Sequence, residues 1–272
     1  MKSLLAALAL LTTLTLPATA GTYGAVPGAD VVRAEVLPGW TTAEGTRMVA
    51  LRLTLKPGWK TYWRAPGEAG IPPRFDWGGS KNLASVTYHW PRPEVFESSG
   101  MQTIGYKREL VLPIEVRPER PGKAMILNAE VELGVCEEIC VPAALSFSQA
   151  LTGQGGRDAV ISAALAARPQ TAREAGIGRV TCEIEPITDG IRITARIPAP
   201  PLGGNEVAVI EPGDPRIWTS EAETHREGGT LVTTVDMVPP SGKPMALSRE
   251  NLRFTLLGRR TAVDIRGCHA PG

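Results

Sequence analysis

The sequence predicts an all-β protein made of two β-sandwich domains joined by a short helical linker. Three observations lead there. Apolar residues recur at a spacing of two over most of the chain, as strands with one wet face require. The 29 glycines and 24 prolines make up about a fifth of the 272 residues, which suits short strands joined by turns and disfavours long helices. One alanine-rich stretch at helical spacing separates two sets of strands, so strands do not alternate with helices as a parallel sheet would need.

Residues 1–20 read as an export signal. Lys2 is followed by an apolar run from Leu4 to Leu16, a proline, and Ala18-Thr19-Ala20, the small-x-small pattern that signal peptidase cuts after. The mature chain is expected to begin at Gly21 in a bacterial periplasm, because no later stretch approaches the roughly eighteen uncharged apolar residues that span a bilayer.

The first sandwich is placed at residues 21–155. Val49, Leu51, Leu53 and Leu55 interleave with Ala50, Arg52 and Thr54. Leu110, Leu112 and Ile114 repeat the pattern, as do Leu145 and Phe147. The clearest strand sets Met125, Leu127, Ala129, Val131 and Leu133 against Asn128, Glu130 and Glu132, and runs into Cys136. Turns are marked by Pro57-Gly58, Pro66-Gly67, Pro72-Pro73, Gly78-Gly79 and Pro121-Gly122. Residues 156–178 form the helical linker: Val160, Ile161, Ala164 and Leu165 share a helical face, and Gly176 and Gly178 close it. The second sandwich, residues 179–272, is built from the alternating sets Val180 to Ile184, Ile191 to Ile197, Leu231 to Met237, Leu252 to Leu256 and Val263 to Ile265.

With 43% apolar and 21% charged residues, the chain has a globular composition able to bury a core. Its 29 lysines and arginines nearly cancel 28 aspartates and glutamates, so charge gives no reason to expect a nucleic-acid or anionic-membrane partner.

The most informative segment is Gly134-Val135-Cys136-Glu137-Glu138-Ile139-Cys140-Val141-Pro142. Three residues between two thiols make a loop short enough to close a disulfide when the backbone turns, so the pair can cycle between dithiol and disulfide without refolding. In an exported protein the same spacing equally suits a structural bridge. If the strand keeps its phase, Cys136 lies on the polar face with Glu130 and Glu132, within reach of a partner's thiolate. Glu130, Glu132, Glu137 and Glu138 crowd negative charge near the sulfurs, which should raise the thiol pKa and favour exchange with a docked partner over broad reactivity. Zinc prefers four ligands, and His89, His225 and His269 are not at motif spacing; copper(I) could accept two soft sulfurs. No metal or cofactor is assigned. Cys182, on the first strand of the second domain, and Cys268, after its last, read as a structural disulfide worth on the order of 4 kcal/mol in the chain-entropy model. His89 reads as a strand-end residue before Trp90-Pro91 rather than a proton relay. Trp40, Trp59, Trp63 and Trp77 read as core filler rather than a carbohydrate groove.

Five ordered segments carry a family resemblance: Gly58-Trp59-Lys60-Thr61-Tyr62-Trp63, the run from Pro66 to Pro73, Trp90-Pro91-Arg92-Pro93, Gly105-Tyr106 with Leu112-Pro113, and the run from Val135 to Pro142. In this order they are similar to the periplasmic N-terminal domain of the thiol:disulfide interchange protein DsbD, most of all to the ScsB (suppressor of copper sensitivity) type. The resemblance spans about residues 30 to 152. Gly213-Asp214-Pro215 and Arg266-Gly267-Cys268 extend a weaker likeness into the second domain. The resemblance implies immunoglobulin-like sandwiches and a relay in which Cys136 and Cys140 are the redox pair. They would accept electrons from a membrane-embedded thiol transporter on a separate chain and pass them to periplasmic thioredoxin-like proteins. It also implies a cap loop within residues 97–104, which offers Met101 or Ile104 where that family places an aromatic, and it sets Leu133 where relatives often carry tryptophan. The competing expectation is a non-catalytic binding or copper-tolerance accessory module in which the 136–140 bridge is only a staple.

Overall fold

The computed structural model describes residue 28, residues 30–98 and residues 100–272. The expected export signal and the expected start at Gly21 lie outside the described residues. The first sandwich contains β1 (Val32–Thr41), β2 (Arg47–Leu55), β3 (Lys60–Tyr62), β4 (Arg74–Asp76), β5 (Leu83–Tyr88), β6 (Glu94–Ser98), β7 (Met101–Lys107), β8 (Glu109–Pro118), β9 (Met125–Cys136) and β10 (Cys140–Leu151). One sheet has the order β1-β2-β8-β5; the other runs β10-β9-β3-β7-β6, with β4 beside β9. The alternation explains how they stack. Leu51, Leu53, Leu112 and Ile114 from the first sheet meet Leu127, Val131 and Leu133 from the second, with Trp63 fully buried among them. Each such side chain contributes roughly 1.5–3 kcal/mol relative to exposure.

A helix, α1 (Ala159–Ala166), follows. Asp158 caps it: its Oδ1 accepts the N–H groups of Val160 (2.7 Å) and Ile161 (3.0 Å). It is shorter than the helical pattern suggested, because Pro169 cannot continue it and the chain turns extended at β11 (Gln170–Thr171). Nor is the helix merely a spacer. Ile161 packs on Met48 and Ala50, so the outer face of β2, which the alternation leaves wet, is partly covered.

The second sandwich holds β12 (Thr181–Pro186), β13 (Ile191–Pro198), β14 (Val207–Glu211), β15 (Trp218–Thr219), β16 (Glu223–Glu227), β17 (Thr230–Val238), β18 (Arg253–Leu257) and β19 (Ala262–Arg266). Its sheets are β11-β19-β18-β14 and β12-β13-β17-β15, the latter with β16 on β17. Ile193, Ile197, Leu231, Met237 and Phe254 form its core. A disulfide joins Cys182 to Cys268 across 86 residues, with the Cα atoms 5.8 Å apart.

The two sandwiches share an interface. Leu257 and Ala262 of the second domain are buried in the core cluster of the first. Arg64, just past β3, donates from Nε and Nη2 to the Glu211 carboxylate at 3.0 and 2.9 Å, and from Nη2 to Thr255 Oγ1 at 3.1 Å. The guanidinium stacks 3.9 Å from the Trp63 ring. Burial lowers the Arg64 pKa from its ordinary value, and the Glu211 charge opposes that fall. Among the described residues no helix is long and apolar enough to cross a membrane.

Candidate functional site

Cys136 ends β9 and Cys140 begins β10, and the two face each other as the last register pair of that hairpin. The turn between them, Glu137-Glu138-Ile139, is exposed and brings the Cα atoms to 4.1 Å, and the sulfurs are bonded. The bond is thus present, as both the redox and the staple readings of the spacing require. The two sulfurs are unequal. Cys136 lies on the face shared with Glu130 and Glu132, as its phase requires, yet it is only 2% exposed, whereas Cys140 is exposed. The reachable residue is thus Cys140 rather than Cys136.

The physical reason is β3, a strand too short to announce itself by alternation. It lies between β9 and β7, pairing Lys60 with Cys136 on one side and with Lys107 on the other. Thr61 Oγ1 locks it down by donating to the Gly134 carbonyl at 3.0 Å. Two residues after Lys60, on the same face, the Tyr62 hydroxyl donates to Cys136 Sγ at 3.0 Å and lies 3.5 Å from Cys140 Sγ. Tyr62 is itself 2% exposed, and burial raises its pKa above the ordinary tyrosine value, so it remains a protonated donor at neutral pH.

The loop after β3 roofs this row. A Cβ on Gly134 would stand 2.7 Å from Ile71 Cβ, so glycine is what lets the loop from Pro66 to Pro73 lie against β9. Gly67 adopts φ +82°, where its back meets the Gln102 carbonyl, and this seats the same loop on β7.

Charge around the pair is mixed. Glu130, Glu132, Glu137 and Glu138 are all exposed near the hairpin end, as the sequence suggests. Distant pairing adds Lys60 and Lys107, whose Nζ atoms lie 5.5 and 4.5 Å from the centre of the Phe96 ring. Lys60 Nζ donates to Thr103 Oγ1 at 3.2 Å, and burial followed by the Lys107 charge lowers its pKa. The same face of the sheet thus carries two cations from β3 and β7 that the local sequence around the cysteines does not show.

The expected cap segment forms the end of β6 and the first part of β7. Met101 is 49% exposed at the tip and Ile104 is buried in the core, so the aromatic on the sulfurs is Tyr62 from another strand. His89 stands apart: its ring meets Glu115 at 3.2 Å on the other sheet. Trp63 is fully buried, Trp59 and Trp77 pack on the core, and Trp40 packs by α1.

Residues 32–151 match the family model described as thiol:disulfide interchange protein DsbD, N-terminal. Among solved structures, the chain resembles the N-terminal periplasmic domain of ScsB from Proteus mirabilis. That likeness has 22% identity and a TM-score of 0.67, and covers 89% of this chain and 95% of the other. At that identity it speaks for the fold, which in both spans the two sandwiches. The Neisseria meningitidis DsbD n-terminal domain in the reduced form is a fainter likeness, with 16% identity, a TM-score of 0.28, and coverage of 48% of this chain and 92% of that one. No curated protein matches the sequence. The first sandwich of this chain, with its Cys136–Cys140 disulfide, belongs to the family of the N-terminal domain of the thiol:disulfide interchange protein DsbD.

Proposed function

We propose that the protein is a periplasmic thiol:disulfide relay, taking two electrons at Cys136–Cys140 from a membrane-embedded thiol transporter and delivering them to thioredoxin-like clients. The observation that carries this reading is the asymmetry of the pair: Cys140 is an exposed residue, while Cys136 is buried under a protonated Tyr62. A donor thiolate attacks Cys140 Sγ; the Cys136–Cys140 bond breaks and its electron pair leaves on Cys136 Sγ, where the Tyr62 hydroxyl stabilises the charge. The donor's second thiolate then attacks its own sulfur in the mixed disulfide, releasing Cys140 as a thiolate and leaving the donor oxidised. Delivery runs the same steps in reverse. Cys140 attacks the client disulfide, and Cys136 displaces the client sulfur, restoring the bridge and freeing a client dithiol.

Cys136→Ala is expected to trap a mixed disulfide with a thioredoxin-like client through Cys140, whereas Cys140→Ala, which leaves only the buried sulfur, traps far less. Redox titration of the wild type is expected to give a potential above about −300 mV, the region below which structural bridges lie. A bridge resistant to thioredoxin-class reductants would return the site to a staple.

A further inference from the structure

Beside the disulfide the two domains enclose a cleft of about 450 Å³, with Pro66 to Pro72 on one side and Ile210 to Ala222 on the other. Its lip touches the redox site through a single loop. Gly70 and Pro72 line the cleft, while Ile71 between them lies on Gly134, two residues from Cys136 and about 7 Å along the strand. From Lys60, opposite Cys136, β3 runs to Arg64 in the cleft within about 13 Å.

Among the described residues, four of the six exposed large apolar side chains lie along this loop and cleft. Ile139 (74%) and Ile71 (44%) lie beside the disulfide, Met101 (49%) precedes Gln102 on the rim of the cleft, and Trp218 (49%) stands in the cleft on the second domain. The cleft's charge is lopsided. Arg64 is already paired with Glu211 and Asp214 with Arg216, while Glu68 and Glu221 have no cation partner among the described residues. The Glu221 carboxylate accepts the side-chain amide of Gln102.

Building on the relay reading, we infer that this cleft seats an extended segment of the thiol-exchange partner, one that carries an apolar side chain for Trp218 beside a lysine or arginine for Glu68 and Glu221. The second domain is then half of the recognition surface rather than a spacer. Scale supports this. A standard interface covers about 800 Å² per partner, a patch reaching about 16 Å from its centre, so a protein docked over Cys140 extends to the cleft. An extended segment bridges the same gap in about four to six residues.

The test uses synthetic cysteine peptides with a leucine-lysine or a leucine-glutamate pair four to six positions from the cysteine, on either side. Their rates of exchange with the Cys136–Cys140 bridge are followed alongside that of dithiothreitol. The wild type is expected to react about tenfold faster with the lysine peptide than with the glutamate peptide. Trp218→Ala should slow both peptides, and Glu68→Gln/Glu221→Gln should erase the preference, while the dithiothreitol rate is unchanged in every variant. Equal peptide rates in the wild type, or a preference that survives in the double variant, overturns the docking inference and leaves the relay standing. A bridge that dithiothreitol cannot open in the folded protein overturns the relay, and this inference with it.

Discussion

Tyr62 shows how a single side chain sets the character of the site. Its hydroxyl reaches the buried sulfur at 3.0 Å, and hydrogen bonds to charged groups are the stronger kind, so it favours the reduced side of the equilibrium by stabilising negative charge on Cys136 Sγ. Tyr62→Phe removes that donor while filling nearly the same volume. The expected outcome is a bridge harder to reduce, its potential lower by about 30 mV, the equivalent of about 1.4 kcal/mol, read by equilibration against a glutathione buffer. Gly134→Leu should act on the roof instead. With Ile71 pressed against this position, a larger side chain must lift the loop, which should raise the reactivity of Cys136 toward a small alkylating agent in the reduced protein. The cysteines were legible in the sequence because their spacing is local chemistry. Tyr62 was not, because a hydrogen bond over 74 positions leaves no periodic trace.

Among the elements, α1 and β3 carry the lessons that periodicity missed. Alternation correctly located β2 and β9, but it could not tell that the outer face of β2 would be covered by Ile161, a side chain with no measurable exposure. Ile161→Ala should cost about 3 kcal/mol of stability by leaving a cavity between α1 and β2, measured by urea unfolding. In the second domain, Arg226 grips Glu206 with two hydrogen bonds of 2.7 Å and also donates to the Ala199 carbonyl at 2.8 Å, tying β16 to the approach to β14. The hydrogen bond from Arg226 holds the Glu206 carboxyl below its ordinary pKa. Its contribution is therefore fully present above the unfolded glutamate value of about 4.3 and is lost as pH falls through the lower folded value. Glu206→Gln is expected to destabilise the protein at pH 7, with the gap to wild type closing below about pH 4 in thermal melts across pH.

For the whole molecule, the question is whether two sandwiches behave as one body. Arg64 answers through Glu211 and Thr255, together with the apolar contact of Leu257 and Ala262. Removing the cation strands a half-buried carboxylate, so Arg64→Met should cost about 3 kcal/mol and split a single calorimetric transition into two. The Cys182–Cys268 bridge, by contrast, closes an 86-residue loop within the second domain. Replacing both with serine should cost on the order of 4 kcal/mol there, while leaving the potential of the Cys136–Cys140 pair unchanged. By itself, the sequence determined the all-β class, the division into two sets of strands and the cysteine pair, because alternation, turn residues and short spacings are written locally along the chain. Only the tertiary structure decided that Cys140 is the exposed member of the pair, that Tyr62 attends the buried sulfur, and that a cleft between the sandwiches adjoins them. Each of these depends on strands meeting across dozens of residues, and burial is a property of what the fold brings alongside.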